Sequence, residues 1–200
     1  MAFWTDESTV DNRDPKRQYR FVAKFSGLGD HGCSWFVKSI DKPSVSLSEA
    51  SHEYLNHTFY YPGRVTWNSI SCTLVDPFEP DAAATMLKAI EMAGYKPPAT
   101  DSDLSTASKS KSVKALGTVT IMQLDGEGVE TNAIEEWKLH NAWIKSVNLS
   151  GLDYSGDSLS DVTIEIRYDW ASLERHGKTD NLNGGNMGPN DGLWKLGSVS

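Results

Sequence analysis

Apolar and polar residues alternate along several short segments of this chain, a period of two that is typical of β-strands with one buried face. The clearest case is residues 161–170, where each even-numbered residue from Val162 to Trp170 is apolar or aromatic and each odd-numbered residue is polar. The same pattern predicts further strands over residues 19–25, 34–40, 44–49, 64–75, 115–124 and 134–149. The first two flank a glycine-rich turn at 27–32, so we expect them to pair as a hairpin.

Residues 81–93 form the one segment with a clear helical period. Four apolar residues there recur at i, i+3, i+4 and i+7 and predict a single stripe: Ala83, Met86, Leu87 and Ile90. Prolines and acidic residues precede this segment, and Gly94 follows it, as is common at helix starts and ends. The patterns therefore predict a mainly β fold, an antiparallel β-sandwich or barrel with one amphipathic α-helix on one side.

The 200 residues fit one domain with polar extensions. Residues 1–17 are polar and charged and predict a flexible N-terminal arm, and residues 176–200 are rich in Gly and Asn and predict a tail. The β domain should therefore occupy residues 18–175. Within it, residues 97–112 have low complexity and few apolar side chains, so we expect a mobile loop there.

Composition narrows the classes of partner. The net charge of −8 disfavours tight binding to nucleic acid, because phosphate affinity comes from Lys and Arg. The two cysteines, Cys33 and Cys72, lack CxxC spacing and fit a reducing compartment, with Cys72 expected to be a small buried residue. We expect no membrane anchor, since no apolar run approaches the ~20 residues needed to span a bilayer.

No residue pattern in the chain matches a known catalytic, cofactor-binding or metal-binding motif. His52 and His57 are five residues apart, without an acidic or cysteine partner at zinc spacing. We therefore predict no catalytic residues, no metal and no cofactor, and a protein that is not an enzyme. A carbohydrate-binding or hydrolytic β-sandwich stays open as an alternative, because carboxylates can meet across a cleft and tryptophans can bind sugars.

Residues 52–80 are the most distinctive stretch. A dense aromatic and histidine loop leads to a turn at Pro62–Gly63, and an alternating strand follows up to Asp76–Pro77. Bulky side chains on a loop indicate a contact surface. The candidate interface residues are Tyr54, His57, Phe59, Tyr60, Tyr61 and Arg64.

Several segments of the chain resemble the tail tube proteins of contractile-tailed bacteriophages, the T-even-type tail tube family. The resemblance covers residues 14–170. It lies in the runs DPKRQYRF from Asp14, WFVKSIDKPSVS from Trp35, FYYPGR from Phe59, TLVDP before the helix, and VTIEIRYDW from Val162.

This resemblance implies a protomer of hexameric rings that stack into the inner tube of a phage tail. The implied partners are further copies of this chain, the tail sheath protein, and baseplate and tail terminator proteins. The tape-measure protein and DNA would pass through the tube without specific nucleic-acid binding. The implied location is the virion, after assembly in the host cytoplasm. Glu165 and Asp169 become candidate lumen-facing residues. A baseplate tube-initiator protein and the inner tube of a related contractile injection or secretion system are alternatives.

Overall fold

In the computed structural model, the described residues are 16–28, 36–98, 105–126, 128 and 133–175. Within them the chain forms ten β-strands and two α-helices. In chain order these are β1 (Phe21–Phe25), β2 (Val37–Ile40), β3 (Val45–Tyr54), β4 (His57–Trp67), β5 (Ile70–Val75), α1 (Ala82–Met92), α2 (Lys109–Leu116), β6 (Val119–Leu124), β7 (Ala133–His140), β8 (Trp143–Leu149), β9 (Asp161–Arg167) and β10 (Trp170–Arg175).

The strands form two four-stranded sheets and one separate hairpin. The first sheet, sheet A, has the order β1-β6-β7-β10, and the second, sheet B, has the order β2-β5-β9-β8. Strands β3 and β4 pair only with each other. Every strand pair in the described residues is antiparallel. The mainly antiparallel β architecture is as predicted.

One apolar core lies between the sheets and the helices. Side chains from β1, β6 and β7 of sheet A meet side chains from β5 and β9 of sheet B. The predicted alternation of β9 is confirmed, because Val162, Ile164 and Ile166 are buried and the residues between them are partly exposed. Cys72 on β5 is fully buried, as predicted, whereas Cys33 lies outside the described residues.

Helix α1 agrees closely with the predicted helix over 81–93. Asp81 is its N-cap, with its carboxylate accepting from the Ala84 backbone N–H at 2.8 Å. The buried residues are Ala82, Met86 and Ala89. Of these only Met86 belongs to the predicted stripe, the other two lie one position before predicted residues, and Leu87 is 53% exposed. The side of the helix that faces the core carries two alanines, whose small side chains allow the helix to lie close to α2 and β8.

The prediction of a mobile loop over 97–112 is wrong at its end, where α2 begins, so the chain has a second helix. The Ser108 hydroxyl caps α2 by accepting from the Lys111 backbone N–H, and Ala115 and Leu116 anchor it in the core. Residues 99–104 lie outside the described part. The strand predicted to start at 115 starts instead at Val119, after Gly117 ends the helix with a φ of +71°.

The strand pairing and the strand limits correct four further predictions. β1 and β2 do not form a hairpin; β1 pairs with β6 and β2 pairs with β5, in different sheets. The long strands predicted over 64–75 and 134–149 are each broken, at 68–69 and at 141–142, and β9 ends before Asp169. Residues 1–15, most of the predicted N-terminal extension, and residues 176–200, the predicted C-terminal tail, lie outside the described part. The predicted domain limits therefore stay predictions.

Candidate assembly surface

The aromatic stretch predicted to be a loop is a long β-hairpin, which we call the arm (β3 and β4, residues 45–67). Its strands have ten and eleven residues and form nine residue pairs, and at a rise of about 3.3 Å per residue the hairpin extends about 30 Å. Leu55 stands at the tip with a φ of +56° and is exposed. All of β3 beyond Val45 is exposed, and most of β4 is exposed as well. The arm therefore projects beyond both sheets with neither face covered by the core.

Several contacts fix the root of the arm to the body. The Asn68 backbone N–H donates to the Ser44 carbonyl at 3.0 Å, and the Asn68 amide donates to the Ser44 hydroxyl at 3.1 Å. The Trp67 ring packs at 5.8 Å from the ring of Tyr168, which is buried in the core. Since Trp67 is the last residue of β4, the arm leaves the body at a packed and hydrogen-bonded point.

The arm continues the register of sheet B. Ile40 pairs with Cys72 at the end of the β2–β5 ladder, and Val45 pairs with Trp67 at the start of the arm, five residues further along each strand. Between them the Asp41 backbone N–H donates to the Ser71 carbonyl at 3.0 Å. The β2–β5 ladder and the arm are thus one extended hairpin with an interruption at its root.

A β-bulge interrupts the arm near its middle. The pairing passes from Leu47 opposite Val65 to Glu49 opposite Pro62, so Ser48 alone faces the two residues 63 and 64. The backbone N–H of Arg64 donates to the Ser48 hydroxyl at 2.8 Å. A Cβ at Gly63 would lie 2.3 Å from the same hydroxyl and 2.9 Å from the Ser48 carbonyl oxygen, which explains the glycine.

Beyond the bulge, the two faces of the arm differ in chemistry. Paired residues share a face, and successive residues alternate between faces. One face carries the histidine and aromatic residues and is called the aromatic face: His52, Tyr54, His57, Phe59 and Tyr61. The opposite face carries the carboxylates and hydroxyls: Glu49, Ser51, Glu53, Thr58 and Tyr60.

The structure brings four of the six predicted interface residues onto that aromatic face. Tyr54, Phe59 and Tyr61 are 63%, 45% and 56% exposed, and the His57 ring meets the Phe59 ring edge-on at 4.7 Å. Tyr60 lies on the opposite face, and Arg64 is exposed at the bulge. A two-stranded hairpin has little stability of its own, so it gains from packing against another surface. An exposed aromatic face of this kind is typical of a protein contact site.

The two predicted lumen-facing carboxylates occupy different elements. Glu165 lies on β9 with its side chain away from the core, and it accepts from the Lys145 ammonium at 2.7 Å and the Ser69 hydroxyl at 2.6 Å. The Lys145 contact and then the Ser69 hydrogen bond hold the pKa of Glu165 below its usual range. Around it the outer face of sheet B is polar, with hydroxyl and amide groups lining a shallow pocket.

Asp169 lies in the connection between β9 and β10, not on a strand as predicted. It accepts from the Lys109 ammonium at 2.6 Å and from the Asn141 amide at 2.9 Å. The Lys109 hydrogen bond outweighs partial burial and keeps the pKa of Asp169 low. Asp169 therefore joins the start of α2 to the β7–β8 turn.

A carboxylate that sequence reasoning missed connects the arm's root to sheet A. Glu135 on β7 is buried and accepts from the ammonium groups of Lys16, before β1, and Lys42, just before the arm. Burial alone would raise the pKa of Glu135, but the two lysines outweigh burial and hold it below its usual value. No local motif marks this cluster, since its members lie far apart in sequence.

Among the described residues, no group of three or more His, Cys, Asp or Glu side chains is arranged to hold a metal ion. The described helices include none that is long and apolar enough to cross a membrane.

Comparison with known proteins gives a fold relationship but no sequence family. No family model matches the chain, and no curated protein matches it. Among solved structures, it is similar to a chain of the anti-feeding prophage cap, the AFP tube-terminating cap, with a TM-score of 0.60 and 18% identity over 88% of this chain and 99% of that one.

Two further structures show the same relationship. A chain of the PVC sheath-tube complex, an extracellular contractile injection system in its extended state, has a TM-score of 0.60 and 16% identity over 86% of this chain and 99% of that one. A chain of the anti-feeding prophage baseplate has a TM-score of 0.54 and 14% identity over 80% and 95%. The chain thus has a fold that also occurs in the tube, cap and baseplate assemblies of contractile injection systems.

Proposed function

We propose that this chain is a structural protomer of the inner tube of a contractile tail. The observation that carries the proposal is the arm, whose exposed aromatic face has no cover within the described residues, on a fold similar to that of chains from contractile injection systems. Copies of the chain form hexameric rings that stack into a tube. The sheath surrounds it, and baseplate and terminator proteins meet its ends.

The energetics of the arm support self-assembly. Fully burying a large apolar or aromatic side chain contributes about 1.5–3 kcal/mol, and Tyr54, Phe59 and Tyr61 are each roughly half exposed. Covering these three rings therefore contributes about 3–5 kcal/mol per arm. Repeated around a ring and along a stack, contacts of that size reinforce one another, because each chain is then held by several neighbours at once.

The conduit role rests on charge. A net charge of −8 repels DNA and lets it pass, together with the tape-measure protein, without specific binding. Glu165, on the polar outer face of sheet B, is proposed to line the lumen, with Asp169 near its rim. Their lysine partners moderate the negative surface. In this role the chain performs no catalysis and needs no cofactor, and it resides in the assembled tail particle after cytoplasmic assembly.

A tube-initiating or tube-terminating subunit is the second candidate, because a chain from the anti-feeding prophage cap is among the fold neighbours. The two roles differ in polymerisation. A tube protein adds rings indefinitely, whereas an initiator or cap alone stops at one ring. The inner tube of an injection system differs from a phage tube in cargo, and for either role we expect the purified chain to form tubes.

Negative-stain electron microscopy of the purified full-length chain tests the proposal. Wild-type protein is expected to form rings and tubes of uniform width. The double variant Phe59→Ser/Tyr61→Ser removes two rings of the aromatic face and should leave a folded protomer that assembles poorly.

Tyr60→Ser is the matched control, since Tyr60 lies on the opposite face of the same strand and is similarly exposed. It should assemble as wild type does. A wild-type chain that remains a monomer under all assembly conditions contradicts the proposal and favours a carbohydrate-binding sandwich. Normal tubes from the double variant would remove the aromatic face from the interface.

A further inference from the structure

A second exposed apolar cluster lies at one end of sheet B, and we call it the loop end. Phe78 belongs to the connection between β5 and α1, and Leu152, Tyr154 and Leu159 belong to the long connection between β8 and β9. All four side chains are largely or fully exposed. The two connections are held together, since the Asp76 backbone N–H donates to the Ser160 carbonyl at 2.9 Å.

The loop end and the arm lie at opposite ends of sheet B. Strand β5 starts at Ile70, next to the arm's root, and ends after six residues at Val75, beside the loop end. Strand β9 runs back from the loop end toward Tyr168, whose ring packs against Trp67 at the root. About 20 Å of sheet therefore separates the root of the arm from the loop end. Because the arm continues the β2–β5 ladder away from the loop end, one chain does not bring its own arm onto its own loop end.

The chemistry of the two surfaces is complementary. The two loop-end segments, residues 76–81 and 150–161, contain six acidic residues and neither Lys nor Arg. Asp161 pairs with Lys38 on β2 at 2.6 Å, and Asp76 and Asp81 cap α1, so the negative charge offered to a partner comes from the other three acids. Hydrogen bonds from the Ser155 backbone N–H and hydroxyl keep the pKa of Asp153 low, so that carboxylate stays ionised. The aromatic face carries phenol hydroxyls and imidazoles that can donate to carboxylates, and it carries no acid, because Glu49 and Glu53 lie on the opposite face.

We propose that the aromatic face of one arm docks on the loop end of a second copy of this chain. The inference rests on the proposed tube function and assigns the receiving surface. The contact joins different surfaces of two identical chains, so it is head to tail and each copy keeps one arm and one loop end for further neighbours. It propagates along the direction from arm to loop end, as the stacking of rings requires.

Cysteine cross-linking between two differently substituted chains tests the docking. Both chains carry Cys33→Ser, and Cys72 is fully buried. One chain carries Tyr61→Cys on the aromatic face and the other carries Tyr154→Cys at the loop end. A short bismaleimide linker is added to the mixture under assembly conditions, and Tyr60→Cys replaces Tyr61→Cys in the control.

The expected result is a cross-linked dimer from the Tyr61→Cys and Tyr154→Cys mixture, severalfold above the Tyr60→Cys control, with each chain alone giving less. Wild-type tubes together with no cross-link above the control would overturn the docking and leave the tube function standing. Absence of both tubes and cross-links would overturn both proposals. The cross-link in the variant mixture, together with a wild-type chain that forms only dimers, would support the contact and reject the tube.

Discussion

The buried carboxylate of Glu135 offers the sharpest test of what holds the arm's root to the body. The variant Glu135→Gln keeps the shape of the side chain and removes its charge. In the wild type this carboxylate accepts from Lys16 and Lys42, and its side chain is 8% exposed. With glutamine, both ammonium groups lose their counter-ion and turn to solvent.

The expected loss follows from those contacts. A hydrogen bond to a charged group contributes about 1.5–3 kcal/mol when buried, but the two lysine side chains are close to half exposed and partly screened. We therefore expect Glu135→Gln to lower the free energy of unfolding by about 1–2 kcal/mol. Urea unfolding measures this loss. Both proteins carry Phe59→Ser/Tyr61→Ser in addition, so that self-assembly does not contribute to the measured stability.

The pH dependence supplies the second readout. The pKa of Glu135 is held below its usual value of 4.5 in the folded protein, so its contribution is present above that value and is lost as the pH falls through the folded pKa. Wild type and Glu135→Gln should therefore differ fully at about pH 7 and converge as the pH falls below 4.5 and through the folded pKa of Glu135.

Glu165→Gln is the matched control. Glu165 also binds a lysine but lies at the surface, so its replacement should have a much smaller effect. The reasoning is refuted if both variants are equally stable at neutral pH, or if the deficit of Glu135→Gln persists unchanged at acidic pH.

Two further substitutions test the packing of the body by the same urea assay. Met86→Ala empties a fully buried site on α1 and should lower the free energy of unfolding by about 2–4 kcal/mol. Leu87→Ala changes the adjacent, half-exposed position and should lower it by under about 1 kcal/mol. Equal losses would mean that the buried side of the helix is assigned wrongly. Gly117→Ala should cost about 1–3 kcal/mol, because the residue has a φ of +71° and a Cβ there would lie 2.3 Å from the Gly27 nitrogen, while Gly151→Ala has open space and should be near neutral.

The core strands and α1 could be predicted from sequence because burial imposes a period on them. In β9 the even-numbered residues face the core, and in α1 the capping signals at Asp81 and Gly94 mark both ends. The end of β9 before Asp169 was missed because a polar residue in a polar position leaves the alternation intact. The break between β7 and β8 was missed for another reason. Asn141, with a φ of +55°, stands on the apolar parity of Leu139 and Trp143, and the apolar residues on both sides of it outweighed this single exception.

The arm was missed as a hairpin for a different reason. Its strands are exposed on both faces, so no buried face imposes alternation, and the aromatic density indicated a contact surface without indicating its backbone. The bulge at Gly63 sets which face of the arm carries Tyr61 and which carries Tyr60, and it depends on pairing that the local sequence does not specify. The pairing of β1 with β6 likewise depends on partners about a hundred residues apart, which contact each other only in the folded core.

The shared register of sheet B and the arm has a consequence for how such an arm can vary. The pairing in sheet B determines which residues of the arm lie on each of its faces, because the pairing of Ile40 with Cys72 continues as that of Val45 with Trp67. Matched deletions of two residues from each strand below the bulge would shorten the arm by about 7 Å and keep the aromatic face on the same side. An unmatched single deletion would turn that face to the other side. The length of the arm can thus change in steps of two residues per strand, while the side on which its aromatic face lies is set by the pairing in sheet B.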